Sequence, residues 1–344
     1  MKTALRVIFA AFGLAIPNAS AATLYVAERW SGNVVAVDTS TGEAQVVASG
    51  LGEMIGITVD RKGRLFVSRF ADGVVAQVDP VTGAFWDIAE LQTPFAISAD
   101  PDSDILYVGG RDSPVVHRIS EVSPDTWTVD TAVSFDASLL PSHAFRNGNL
   151  LYVACQSRTG GQTGIWVKDL VTGNLRGMAV MDASFAQPTT MALESGGHLI
   201  AGDEGWDVRR IDPFSGQIVQ TYSGFTSCCG VAVDPSDNSV YIAEQNAGSG
   251  RIVRLDLRSG ERTVVSTSAV APWQIAFAMP LRISSSVLSR NTLTLSWNGG
   301  PGIKLQKTSN LTTPHWQDVP NTDGHGLIAL PLSDTAAFFR LIQP

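Results

Sequence analysis

The side chains able to do chemistry fall into two recurring places in this chain. One place lies just before short apolar strands and holds Glu53, His143, Gln187, Cys228, Cys229 and Trp273. The other lies just after strands of the form Leu-Tyr-Val. It holds Glu28, Arg29, Trp30, Arg69, Arg111, Asp112, Gln156, Arg158, Asp203, Glu204, Trp206, Glu244, Gln245 and Asn246. Only 16% of the residues are charged, so this gathering of carboxylates, guanidiniums and indoles stands out. Carboxylates and guanidiniums bind polar ligand groups, and indoles offer flat apolar faces to a sugar ring or a peptide side chain. The plainer alternative is that Glu and Arg from neighbouring elements satisfy each other. His143 has the right side chain for a general base. No Gly-x-Ser-x-Gly or comparable nucleophile motif accompanies it, and Ser142, its neighbour on a strand, points to the opposite face.

These places recur because the strands recur. The apolar form appears at Leu24-Tyr25-Val26, Leu65-Phe66-Val67, Leu106-Tyr107-Val108, Leu151-Tyr152-Val153, Leu199-Ile200-Ala201 and Val240-Tyr241-Ile242. A period of about 40–45 residues suits one four-stranded propeller blade. In the second copy, β-branched runs at residues 56–59, 65–67, 74–78 and 85–88 alternate with turn residues. An Asp-x-x-[Ser/Thr]-Gly turn starts at Asp38, Asp79, Asp169, Asp212 and Asp256. One carboxylate per turn is too few for a calcium loop, so these read as structural turns. The third copy departs from the pattern at residues 120–125 and implies a reshaped blade edge. The first copy lacks its opening strand, and residues 273–277 supply a candidate at the far end. The expectation is an all-β chain: a six-bladed β-propeller over residues 23–279, closed by pairing of its N- and C-terminal strands. Both chemical places would then meet at one mouth of the central channel, with Glu53, Arg69, Arg111, His143, Trp206 and Trp273 as candidate ligand-binding residues.

Two stretches carry a family resemblance. Gly56-Ile57-Thr58-Val59-Asp60 with Leu65-Phe66-Val67, and Gly230-Val231-Ala232-Val233-Asp234 with Val240-Tyr241-Ile242, resemble NHL and SMP-30/gluconolactonase-like propellers. The resemblance covers most of residues 24–278. It implies a divalent cation on the channel axis, held by Glu, Asn and Asp from different inner strands and used to hydrolyse a lactone. Leu51-Gly52-Glu53 is similar to the stretch that carries the ligand Glu. The other ligands come from a Pro-[Asn/Asp]-Gly-x-Ala pattern, where this chain has Cys228-Cys229-Gly230-Val231-Ala232 and Pro188-Thr189-Thr190-Met191-Ala192. Neither stretch keeps the amide or carboxylate. Glu53, with Asp203, Glu204 and Glu244 as replacements, is the candidate metal set, and Ca²⁺ the cofactor such oxygen ligands suit.

The remaining features bound the setting. Lys2, Arg6, the apolar run 7–16 and Ala19-Ser20-Ala21 have the form of a secretory signal, residues 1–21, which places the mature chain outside the cytoplasm, in the periplasm, at the cell surface or secreted. The formal net charge of −8 argues against nucleic acid as a partner. No later segment is apolar enough for a transmembrane helix. Three cysteines, Cys155, Cys228 and Cys229, allow three readings: small buried hydrophobes, a bridge from Cys155 to one of the pair, or a vicinal disulfide. Residues 281–344 lose the repeat and alternate in short strands around Trp297, Trp316 and Phe339, as in a small β-sandwich module. Residues 303–306, Ser309-Asn310-Leu311, Trp316 and Phe338-Phe339-Arg340-Leu341 resemble the immunoglobulin- or fibronectin-III-like modules at the ends of exported bacterial proteins. Such modules imply surface or matrix association; a stability cap is the alternative. Two functions follow. One is a monomeric binding protein for a small molecule, carbohydrate or protein ligand. The other is a metal-dependent hydrolase, of the lactonase kind, or a lyase at the same mouth.

Overall fold

The computed structural model describes residues 22–158, 163–178, 187–246, 249–278, 283–289, 292–297, 303–322, 326–331 and 337–342. The expected signal peptide lies outside them. The chain divides into two compact units, one of them Ala21–Ala278 and the other containing the C-terminal strands. Among its described residues the first unit holds six four-stranded antiparallel sheets. Five of them use consecutive strands. The remaining sheet takes its inner strand, Pro272–Phe277, from the far end of the unit and pairs it with Thr23–Glu28, so that Leu24 lies opposite Phe277 and Val26 opposite Ile275.

The strands are apolar on both faces because each sheet packs against two others. Leu24 and Val26 pack with Tyr241, Ala243 and Ile252. Ala27 and Val34 pack with Ile57, Leu65 and Val67. Phe66 and Val75 then meet Ile97, Leu106 and Val108. Tyr107 and Val116 meet Leu151 and Val153, Tyr152 and Ile165 meet Met191 and Leu199, and Ile200 and Val208 meet Val240 and Ile242. Alternation along each strand sends successive side chains into successive clusters.

The inner strands also touch in a cycle. Met54–Val59 packs on Pro94–Ala99, that strand on Leu139–Asn147, and so through Pro188–Leu193, Cys228–Val233 and Pro272–Phe277 back to Met54–Val59. Side chains stitch neighbours together. Gln274 Oε1 accepts from the Ile57 and Ile97 backbone N–H groups at 3.2 and 3.0 Å. Thr190 Oγ1 accepts from Val231 N at 2.9 Å. Gly230 runs so close to the next strand that a Cβ there would lie 2.2 Å from the Trp273 carbonyl oxygen.

The Asp-x-x-[Ser/Thr]-Gly segments are turns, as their composition requires. Asp38 Oδ1 accepts from Ser40 N and Thr41 N at 2.8 and 3.0 Å, and Gly42 follows at φ 75°. The third sheet departs from the others where expected. Its outer hairpin lengthens to Val115–Ser123 and Thr126–Ser134, with Asp125 at φ 58° in the turn.

The C-terminal unit has two three-stranded sheets. Thr292–Trp297 is central in one and Lys304–Thr308 in the other. Leu293, Leu295, Trp297, Ile303, Leu305 and Val319 form its core, with Phe339 packed against them. Trp316 is not in that core; it is half-buried with the Arg340 guanidinium 4.4 Å from its ring centre. Among the described residues, no helix is long and apolar enough to cross a membrane.

Candidate functional site

All six inner strands carry a register shift near their starts, where one extra residue opposes the second strand. A bulge re-aims the side chain it carries. The residues inserted there are Ile55, Phe95, Ser142, Thr189, Cys229 and Trp273. Four of them form one buried cluster: Ile55, Phe95, Cys229 and Trp273 come together with Ala96, and Phe70 packs against them. The Phe95 ring stands edge-on to Trp273 at 6.2 Å and to Phe70 at 6.4 Å. The other two use their hydroxyls on backbone. Ser142 donates to the Ala154 and Pro188 carbonyls, and Thr189 to Cys228 at 3.0 Å.

The second strands end at the same level. Counting from the Leu or Val that opens each repeat, the sixth residues are Arg29, Phe70, Arg111, Gln156, Glu204 and Gln245. In five sheets the sixth residue donates its backbone N–H to the residue just before an inner strand: Ala271, Glu53, Thr93, Gln187 and Ser227 accept. This repeated bond sets the side chains over the apolar cluster. The Arg29 guanidinium lies 4.6 Å from the centre of the Trp273 ring and 5.4 Å from that of Trp30, and its Nε donates to Glu53 Oε1 at 2.7 Å. Arg111 lies 5.7 Å from the centre of Phe95 and forms no ion pair among the described residues. Cys229 Sγ is 3.7 Å from Gln245 Oε1 and 3.3 Å from Ser227 Oγ. Burial raises the Glu204 carboxyl above the ordinary value, against the pull of Arg111 and Arg29. Its carboxylate accepts no hydrogen bond among the described residues. The Gln245 Nε2 and Trp273 Nε1 donors are buried without partners among the described residues. Two indoles on loops that follow second strands stand in solvent, Trp30 at 63% and Trp206 at 70% exposed.

The fifth residues behave differently. Glu244 is 1% exposed; it accepts from Thr226 N at 2.7 Å, Thr226 Oγ1 at 2.9 Å and Arg251 Nε at 2.6 Å. Burial alone would raise its carboxyl, but these bonds outweigh it and hold it below the ordinary value. Asp203 Oδ1 accepts from Gly205 N at 2.9 Å and Gln187 N at 3.3 Å. Glu28 holds Ser31 and Val270 N. These carboxylates cap the loops of their own end of the sheets.

The candidate metal set is therefore divided. Asp203 and Glu244 are committed to loop backbone, Glu53 to Arg29, and only Glu204 is left. Among the described residues no three His, Cys, Asp or Glu side chains converge as a metal site, so the residues present do not fit the divalent cation that the resemblance implied.

Three other expectations need correction. Arg69 does not face the aromatic cluster. It turns along its own sheet to Asp87 at 2.9 Å, Asp72 and the Leu51 carbonyl, with its guanidinium against Phe85. His143 is 2% exposed. Its Nδ1 accepts from Met191 N at 3.1 Å, and burial lowers its pKa to about 4, so it is an inter-strand acceptor in the core. Trp273 is present at the site but is 1% exposed beneath Arg29, so its face is not open to a ligand. Cys155, Cys228 and Cys229 are all free and buried. They lie in three different clusters, which matches the buried-hydrophobe reading and neither bridge. Burial pushes the Cys229 thiol up to about 12, so it is not a nucleophile.

Sequence reasoning passed over Ile55, Phe95 and Phe70 because they are apolar. Their signal was positional: each aligns with a polar or aromatic candidate in another copy of the repeat.

No known protein family matches the chain, and no curated protein does. Among solved structures it is similar to a chain of the crystal structure of the Nidogen/Laminin complex, at 14% identity and a TM-score of 0.64. That match covers 75% of this chain and 98% of the other. It is also similar to TolB from Acinetobacter baumannii, at 15% identity and a TM-score of 0.58, over 75% of this chain and 67% of that one. The fold is a β-propeller.

Proposed function

We propose that this chain is an exported recognition protein: a six-bladed propeller, closed by pairing of its first and last strands, that binds a ligand at the channel mouth and does not transform it. The cyclic packing of the inner strands and the pairing of Pro272–Phe277 with Thr23–Glu28 support the closed ring. One observation carries the functional reading. The only charged groups at the mouth without a hydrogen-bonded or ion-paired partner among the described residues are Glu204 and Arg111, and they stand over a floor of packed aromatic side chains. Unspent polar groups around an apolar floor suit binding. No activated nucleophile and no base of matched pKa stands among them.

The blade likeness to NHL and SMP-30/gluconolactonase-like propellers is kept for the fold and not for the metal chemistry. The signal-like N-terminus supports delivery to the periplasm, the cell surface or the medium. The C-terminal strands support an immunoglobulin- or fibronectin-III-like module that holds the propeller to a surface or matrix, and nothing in the propeller calls for a second copy. Turnover is the test of the non-catalytic reading. The purified full chain should leave an aldonolactone unhydrolysed with calcium or EDTA, and its Tm should not move between the two. Chelator-sensitive hydrolysis would overturn the reading in favour of the lactonase alternative.

A further inference from the structure

We propose that the ligand at this mouth is a neutral carbohydrate, an inference that rests on the mouth being a binding site. The first argument is the balance of unspent hydrogen-bonding groups. Glu204 is an acceptor and Arg111 a donor, and among the described residues neither has a hydrogen-bonded partner. Donors and acceptors stand side by side, which is what the hydroxyls of a sugar require, since each hydroxyl both donates and accepts.

The second argument is charge. Arg29 is neutralised by Glu53 at 2.7 Å, and Arg111 is balanced by Glu204 without touching it. These four side chains, two guanidiniums and two carboxylates, therefore carry no net charge among themselves to select an ion. A phosphate would meet the Glu204 carboxylate, and a ligand ammonium on Glu204 would meet the two guanidiniums that already act on it. A neutral polyol meets neither.

The third argument is shape. Trp206 follows Glu204 by two residues and is 70% exposed, and Trp30 follows Arg29 and is 63% exposed. An exposed indole beside a carboxylate offers a flat apolar face for the C–H side of a pyranose while the carboxylate takes its hydroxyls.

The experiment uses the full chain on immobilised cellotriose, xylotriose, mannotriose and chitotriose, with a library of phage-displayed peptides panned on the same protein. Trp206→Ala and Glu204→Gln are measured beside the unaltered chain, each with its Tm recorded. At least one sugar should be retained, and each variant should weaken that retention about tenfold or more at a Tm no lower than that of the unaltered chain. The proposal falls if no sugar is retained, or if retention is the same in both variants. Peptides selected by the unaltered chain and lost by Glu204→Gln would sink the carbohydrate assignment and leave the mouth as a binding site. Sugar retention indifferent to both variants would sink the mouth as well.

Discussion

Adjacent residues at the ends of the second strands have opposite fates. Glu244 is locked by a loop N–H, a hydroxyl and a guanidinium, whereas Gln245 beside it keeps a donor free over the aromatic floor. Asp203 holds two backbone N–H groups, and among the described residues Glu204 beside it holds none. In Val240–Asn246 strand alternation accounts for the difference, since fifth and sixth residues leave on opposite faces, whereas Asp203 closes the strand Leu199–Asp203 and Glu204 opens the loop beyond it. The fifth residues build the loops, and the sixth residues surround the aromatic cluster proposed as the floor of the mouth. Counting carboxylates near a propeller axis therefore overstates the groups that are able to meet a ligand.

Removing a fifth residue should give the largest effect. Glu244→Ala leaves Thr226 N–H unpaired and Arg251 without its carboxylate, at a cost of about 3 kcal/mol read from the denaturant midpoint. A cost below about 0.5 kcal/mol would place Glu244 with the mouth groups and dissolve the contrast.

His143 extends the same logic from loops to strands. Its folded pKa lies at about 4, below the ordinary histidine value near 6.5, so the unfolded chain takes up a proton first as the pH falls. Stability is then full above pH 6.5 and declines toward pH 4, by roughly 2 kcal/mol between pH 6.5 and 5. His143→Asn keeps an acceptor for Met191 N and should flatten that decline in urea titrations at the two pH values. An unchanged slope would mean that another group titrates.

The fold was legible because the repeat states it several times. Six Leu-Tyr-Val strands and five Asp-x-x-[Ser/Thr]-Gly turns are redundant signals, and the missing strand of the first copy pointed to the partner at residues 273–277. The residues proposed for the mouth were placed from the sequence by level and not by face. The sequence placed Arg69 and Arg111 alike, yet one is a fifth residue bound to Asp87 and the other a sixth residue over Phe95. The inner strands were harder still, because each bulge shifts the alternation by one. That shift sends Trp273 into the floor, and it leaves His143, one place past the bulged Ser142, bonded to Met191. Nothing in the amino-acid order announces a bulge at these positions except the alignment of the copies with one another.

Arg29 tests how the mouth holds its floor. Arg29→Ala removes the guanidinium from Trp273 and from Glu53 and should cost about 1 kcal/mol, because the pair is partly exposed. Its clearer sign is spectroscopic: intrinsic fluorescence should shift to longer wavelength as water reaches the indole. A spectrum identical to that of the unaltered chain would mean that Trp273 is sealed by other groups.

The smallest effect should also have the opposite sign. Burial raises the Glu204 carboxyl, so its ionised form is less favoured in the folded chain than in the unfolded one. The resulting cost is absent at pH values below the ordinary glutamate range, grows as the pH rises toward the raised folded value, and is fully present beyond it. Glu204→Gln should therefore leave stability unchanged near pH 4 and raise it by about 0.5 kcal/mol near pH 8, while ligand retention falls. A sixth residue that stabilises the protein when neutralised, beside a fifth residue that destabilises it when removed, is what a strand with one face given to structure and one to binding requires. Destabilisation by Glu204→Gln at pH 8 would mean that its carboxylate, like that of Glu244, serves the fold, and the mouth would then have no acceptor of its own.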